Sequence, residues 1–377
     1  MLIKNGLVFT EKCRFEPLTV ITDSGVITDI LPADAMVKYG GGVADASGCY
    51  VVPGFTDVHF HGCAGHDFCE ASADALGCIC RYEYSQGVTT LCPATMTLPD
   101  DDIIAILKTA VDHSSTSAGE ESAKLLGIHL EGPFISYEKC GAQKKELIQP
   151  PSAEKLLEWQ SAAEGLIKLV TIAPETEGAA DCIHRLSGSM HFSLGHTACD
   201  YDAAIKAFAA GADHVTHIYN AMPPFTHREP SLIGAAYDTE NVFAELICDG
   251  VHISPTAIRA AFALFGDDRI VLISDSMEAA GMPDGLYQLG GQQVTKKGSR
   301  ALLSDGTLAG SVTTLADCVR TAVNMGIPLE SAIKAATINP CRSIGVDDNY
   351  GSLTVGKAAH ILLLDTKDLS LKAVYTK

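Results

Sequence analysis

The sequence has no uninterrupted apolar stretch approaching the roughly 18–20 residues of a membrane span. It has no basic run either. Lys and Arg number 27 against 46 Asp and Glu, for a formal net charge of −19. Such a chain has no field to draw in nucleic acid or anionic lipid, which excludes both as partners. The opening segment MLIKNGLVFTEKCRF lacks the apolar block and small-residue cleavage site of a signal peptide, which predicts a cytoplasmic protein. No Cys-x-x-Cys pair occurs among the 13 cysteines, and Cys78 and Cys80 have the wrong spacing for a zinc knuckle. The scattered thiols read as reduced and mostly buried. Low-complexity tracts and close repeats are missing too. What is present is 377 residues, 47% of them hydrophobic, enough for a sizeable core and too many for disorder.

Short apolar runs recur along the chain, with His, Asp, Glu or another polar residue at or next to the end: GFTDVHFH (54–61), VTTLCPATM (88–96), LLGIHLEG (125–132), IKLVTIAPE (167–175), HFSLGHT (191–197), DHVTHIYN (213–220), VFAELICDG (242–250) and RIVLISDS (269–276). Each suits a strand buried on both faces. Helix-like segments fall between them, with Ser72, Asp100, Ser152, Asp200 and Ser254 where N-caps belong. Eight alternating βα units predict an α/β fold, a (β/α)8 TIM-like barrel, over residues 53–345. The ends break the rhythm. Residues 1–52 and 346–377 read as short strands, and neither can bury a core alone. They are expected to form one small β-sandwich together. Residues 285–310 read as a hairpin region, followed by two helices.

A barrel enzyme places its functional groups at the C-terminal ends of its strands. Here those ends carry His59 and His61, Glu131, His196, His217, Asp249 with His252, and Asp275. Five of the 13 His stand at or just past run-ends, a concentration that points to a metal site. Imidazole and carboxylate together suit Zn²⁺ or Fe²⁺. A catalytic metal lowers the pKa of a water to about 7. Asp275 is placed to take that water's proton and pass it to a leaving group. His66, His113, His184, His191, His214 and His360 read as surface or packing residues, Cys63 as a buried or loop thiol, and Asp213 as a turn residue.

These run-ends resemble the amidohydrolase superfamily: a His-x-His after strand one, His at strands five and six, and Asp at strand eight. GKAAHILLLD is similar to that superfamily's closing strand, with His360 where Asp is commoner. More specifically, HLEGPF (129–134), LGHT (194–197), THIYNAMPPFTHREP (216–230), DGVH (249–252), SDSMEAAGMPDG (274–285) and DGTLAGS (305–311) resemble the N-acetylglucosamine-6-phosphate deacetylases, in the right order and over nearly the whole chain. The resemblance implies that Glu131, His196 and His217 hold the principal metal and that Asp275 is general base and then acid. It implies that Asn220, Ala221, Arg228 and His252 grip the sugar phosphate. Ala142 and the backbone of Leu308, Ala309 and Gly310 would line the pocket. Arg228 would reach the neighbouring subunit's site, which implies a homodimer.

Some members of the family lack both strand-one histidines and work with one metal. This chain has His59 and His61, so a second metal shared through Glu131, with Asp275 as an additional ligand, is inferred, for one or two zinc or iron ions per subunit. Where some members carry a His after the GPF segment, this chain has Gln143, which can donate a hydrogen bond to the acetyl carbonyl but cannot carry charge. Ser231 stands where Gly is more usual and reads as a neutral loop change. An anionic sugar approaching a protein of net charge −19 needs a locally basic clamp, for which Arg228, His227 and His252 are the candidates. The expected reaction is hydrolysis of the N-acetyl amide of N-acetylglucosamine 6-phosphate to glucosamine 6-phosphate and acetate. Three rivals remain. One is the galactosamine epimer. Another is a cyclic amidase, disfavoured because the only Lys of the fourth run, Lys168, lies near its start. The third is a silent sugar-phosphate-binding barrel, disfavoured because a retired site sheds costly buried polar groups.

Overall fold

The computed structural model describes residues 1–37, 39–115 and 121–376. All eight apolar runs form strands: Phe55–Asp57, Val88–Leu91, Ile128–Glu131, Ile167–Ile172, His191–Leu194, His214–Val215, Phe243–Ile247 and Ile270–Ile273. They are parallel, and the last six form one sheet in chain order. The first two pair with each other. Two seams close the barrel. Past the second strand, the His129 N–H donates to Pro93 O (3.0 Å) and the Thr95 N–H to His129 O (2.9 Å). Past the eighth, the Asp275 N–H donates to His59 O (2.9 Å) and the His61 N–H to Ser276 O (2.7 Å).

Helices pack around the outside. Ser72, Ser152, Asp200 and Ser254 each cap a helix with a side-chain oxygen, as expected. Asp100 is instead the first residue of its helix, Asp100–Ser115, and its carboxylate pairs with Lys155 at 2.6 Å. Two helices, Ala179–Leu186 and Ser231–Asp238, are additions to the sequence reading. Ser231 itself has φ +52°, a left-handed backbone that explains why glycine suits the position. Its hydroxyl donates to Pro223 O at 3.2 Å.

Inside the barrel, Val58, Cys92, Ile247, Val271, Ile273 and Ile344 form an apolar plug. A second interior layer is polar. His129 Nε2 meets Thr171 Oγ1 at 2.8 Å, Thr171 meets Thr216 at 2.8 Å, and Thr216 meets Ser193 at 2.5 Å, all of them buried.

The two ends of the chain do build a common β unit. It is one continuous seven-stranded sheet rather than two facing sheets. The strand Ile361–Asp365 lies between Cys49–Pro53 and Leu371–Tyr375, antiparallel to both. The sheet curls until Val26 bridges Ala358, and it wraps its own core of Ile3, Val8, Val20, Ile27, Val51, Ile361 and Leu363. Lys377 lies outside the described residues. The hairpin region forms a three-stranded antiparallel sheet, Gly285–Leu289, Gln292–Lys297 and Arg300–Leu302.

Candidate active site

His59, His196, His217 and Asp275 each sit two residues beyond the end of a barrel strand, while Glu131 is the last residue of its own. His196, His217 and Asp275 have φ of +45°, +27° and +49°. Left-handed backbone costs an ordinary residue about 1–2 kcal/mol, and such strain concentrates where function needs one side-chain direction. Here it lies where the chain leaves the strand.

The side chains meet at Glu131. Its Oε1 is 3.2 Å from Nε2 of His59, of His196 and of His217, and its Oε2 is 3.3 Å from His61 Nε2. Asp275 Oδ1 is 3.4 Å from His61 Nε2 and 3.8 Å from His59 Nε2. All of these side chains are buried. Burial alone would raise the Glu131 carboxyl, but the charges of His59 and His196 outweigh it and hold the group well below the usual carboxylate range. Asp275 is lowered too. Burial opposes that shift, and His61 and His59 win.

The donor set fits a cation. The Nδ1–H of His196 donates to the carbonyl of Lys139 at 2.9 Å, which leaves a lone pair on Nε2. That lone pair faces His217 Nε2 at 3.0 Å as well as the carboxylate. His59 Nε2 has no hydrogen-bond partner. Buried acceptors aimed at one another are costly unless a positive charge lies between them. Glu131 with His196 and His217, and Glu131 with His59 and His61, each bring three ligand atoms within 4.8 Å of one another.

The cluster floors a cavity of about 340 Å³. His61, Ala142, Gln143, Asn220, Ala221, His252, Leu308 and Gly310 all line it, as the sequence reading expects. Ala309 does not line it; it is fully buried, with its N–H on Ala301 O. Gly310 has φ +65°, and a Cβ there would meet Asp275 O at 3.0 Å, so glycine lets this loop lie against the strand-eight end. Gln143 is already engaged at both ends: its Nε2 donates to Glu131 Oε2 at 2.7 Å and its Oε1 accepts the Thr97 N–H at 2.6 Å. It steadies the shared carboxylate.

His252 is held by Asp249, Nδ1 to Oδ2 at 2.7 Å. Burial lowers its pKa, and the Asp249 hydrogen bond overrides this to raise it. Arg228 and His227 are exposed, and neither lines this cavity. Arg228 instead borders a separate surface depression with Asp200, Tyr201 and Glu229. The cavity has a cation that sequence reasoning missed, Lys139. Also missed were Glu245, which accepts from His59 Nδ1 at 2.8 Å, and Asp57, which accepts the His59 N–H at 3.2 Å. Cys63 is buried away from the cluster, with its thiol on Ile79 O. Asp213 bridges His191 and His214 at 2.6 Å each, at the opposite end of the barrel.

The chain matches the Amidohydrolase family over residues 50–377. It is 38% identical to an N-acetylglucosamine-6-phosphate deacetylase of Bacillus subtilis over 372 residues, 97% of this chain and 93% of that protein. It is 36% identical to an N-acetylgalactosamine-6-phosphate deacetylase of Escherichia coli O157:H7, over 83% of each. Among solved structures, an N-acetyl-D-glucosamine-6-phosphate deacetylase mutant of Mycobacterium smegmatis, in complex with N-acetyl-D-glucosamine-6-phosphate, superposes with a TM-score of 0.92 at 32% identity. It covers 100% of this chain and 97% of its own. With a barrel closed around a His- and carboxylate-lined cavity and likeness extending end to end, the chain belongs to the amidohydrolase family, among its N-acetylglucosamine-6-phosphate deacetylases.

Proposed function

We propose that this protein hydrolyses the N-acetyl amide of N-acetylglucosamine 6-phosphate, releasing acetate and glucosamine 6-phosphate. One observation carries the reading: His59, His61, Glu131, His196, His217 and Asp275 converge from five strands on one cavity. Glu131, His196 and His217 would hold one divalent cation, zinc or iron. His59 and His61 would hold a second through Glu131, with Asp275 beside them. Bound there, such ions supply Lewis acidity, polarising a carbonyl and acidifying water.

The chain's own groups do the rest. Asp275 Oδ1 accepts the proton of the attacking water and returns it to the departing amine. Gln143 keeps Glu131 in place. Asn220, Ala221, Ala142, Leu308 and Gly310 fit the sugar. Because Asp249 occupies His252 Nδ1, the other ring nitrogen is left for the substrate. His252 and Lys139 offset the protein's negative field at the phosphate. Arg228, outside its own cavity, completes the clamp from a second copy in a homodimer. All 13 cysteines are free, which supports a reducing cytoplasm. Among the described residues no helix is long and apolar enough to cross a membrane.

The test is acetate release from both hexosamine epimers, with the gluco substrate preferred. Asp275→Asn is expected to lower kcat by about 10²–10⁴-fold with little change in KM. Full kcat in that variant would remove Asp275 from the mechanism.

A further inference from the structure

Glu245 lies in the middle of the seventh barrel strand, fully buried, with its side chain inside the barrel beneath the cluster. Ile247, two residues on, is part of the interior apolar plug, so an apolar side chain is accommodated along this stretch. A buried carboxylate costs several kcal/mol unless its oxygens are engaged. Glu245 Oε2 is engaged twice: it accepts the ring Nδ1–H of His59 at 2.8 Å and the backbone N–H of His217 at 3.1 Å. A carboxylate oxygen only accepts, so His59 carries a proton on Nδ1, and in the neutral ring that binds a metal the lone pair is then on Nε2. That lone pair points at Glu131 Oε1, 3.2 Å away, and has no hydrogen-bond partner. The same oxygen ties the backbone of the sixth-strand ligand to the ring of the first-strand ligand.

We propose that Glu245 is the positioning residue that makes the His59 half of this site a metal position. It fixes the tautomer and direction of His59 and thereby decides whether the site takes a second cation. This rests on the two-cation reading above. Without an acceptor at 245, His59 can move its proton to Nε2 and donate it to Glu131. The first-strand position would then be filled by a hydrogen bond instead of an ion. The Glu131–His196–His217 position, whose His196 tautomer is set by Lys139 O, would keep its own ion.

The experiment is elemental analysis of the full chain, stripped of metal and re-equilibrated at graded free zinc. Four variants accompany the wild type: Glu245→Met, Glu245→Ala, Glu245→Gln and His59→Ala. Wild type is expected to bind two ions per chain. Glu245→Met should retain the first ion and bind the second about 10–100-fold more weakly, as His59→Ala does. Glu245→Gln keeps an acceptor oxygen of the same reach and should recover most of the second ion. A general loss of packing would weaken both ions together and would not be rescued selectively. Two ions at unchanged affinity in Glu245→Met, or in Glu245→Ala should the Met variant not fold, with no more than one in His59→Ala, would overturn the role of Glu245 alone. Fewer than two in wild type would overturn the two-cation reading and this inference with it.

Discussion

Glu83 is a carboxylic acid sealed between barrel and helix, 2% exposed, with Oε2 lacking a hydrogen-bond partner. Burial, aided by the neighbouring Asp57 charge, pushes it from its ordinary 4.5 up to about 8. The folded-state value lies above the unfolded one, so between these two pH values the native chain holds a proton that the unfolded chain has released. Stability must therefore fall as pH rises through that window. At about 1.4 kcal/mol per pH unit, the cost is below about 1 kcal/mol at pH 5 and about 3 kcal/mol at pH 7. Glu83→Gln removes the titration. Its amide brings a pH-independent penalty of about 1–3 kcal/mol if its N–H groups find no partner. The diagnostic is thus the change in the variant-minus-wild-type difference between pH 5 and pH 7. It should favour the variant by about 2–3 kcal/mol, measured as urea unfolding free energies under matched metal conditions. A difference that stays constant with pH would show that Glu83 does not hold its proton in the fold.

Two further outcomes concern the substrate phosphate. Lys139→Met keeps the main-chain carbonyl that orients His196 but removes the cation; KM for the phosphorylated sugar should rise about 10-fold, the scale of one charged hydrogen bond, with kcat nearly unchanged. An unaltered KM would place the phosphate elsewhere. Arg228→Ala should raise KM similarly. Mixed with Asp275→Asn subunits under exchange conditions, it should form sites whose KM returns to that of the wild type, because one hybrid site then has both an intact Asp275 and a partner's intact Arg228. Absence of complementation would return Arg228 to the surface of its own subunit.

The barrel was legible because its strands are buried on both faces, so each shows as an apolar run with a polar residue where it opens to the mouth. His59, His61, Glu131, His196, His217 and Asp275 all stand at those openings, and the structure gathers every one of them. The polar groups beneath them were harder to see. Glu245 and His129 lie within runs 242–250 and 125–132, and the only signal was a titratable residue where an apolar one was due. Lys139 sits in a loop with no periodicity. The helix Ala179–Leu186 starts at a left-handed Gly178 with no side-chain cap, and Ser231–Asp238 starts behind a proline, so neither announces its start in the usual residues. Whether the chain ends form one sheet or two depends on pairings across some three hundred positions, such as Leu363 with Val51, which no local pattern encodes.

That pairing has a consequence for how the protein is made. The strand Cys49–Pro53 leads directly into Phe55–Asp57 and so to His59. One of its edges stays bare until Ile361–Asp365 has left the ribosome. During most of synthesis the chain therefore exposes an unpaired strand beside its first metal-ligand segment, an invitation to mispairing. A chain halted before residue 361 should accumulate as aggregate rather than as a shortened enzyme. The final strands act as the clasp that lets the catalytic half settle.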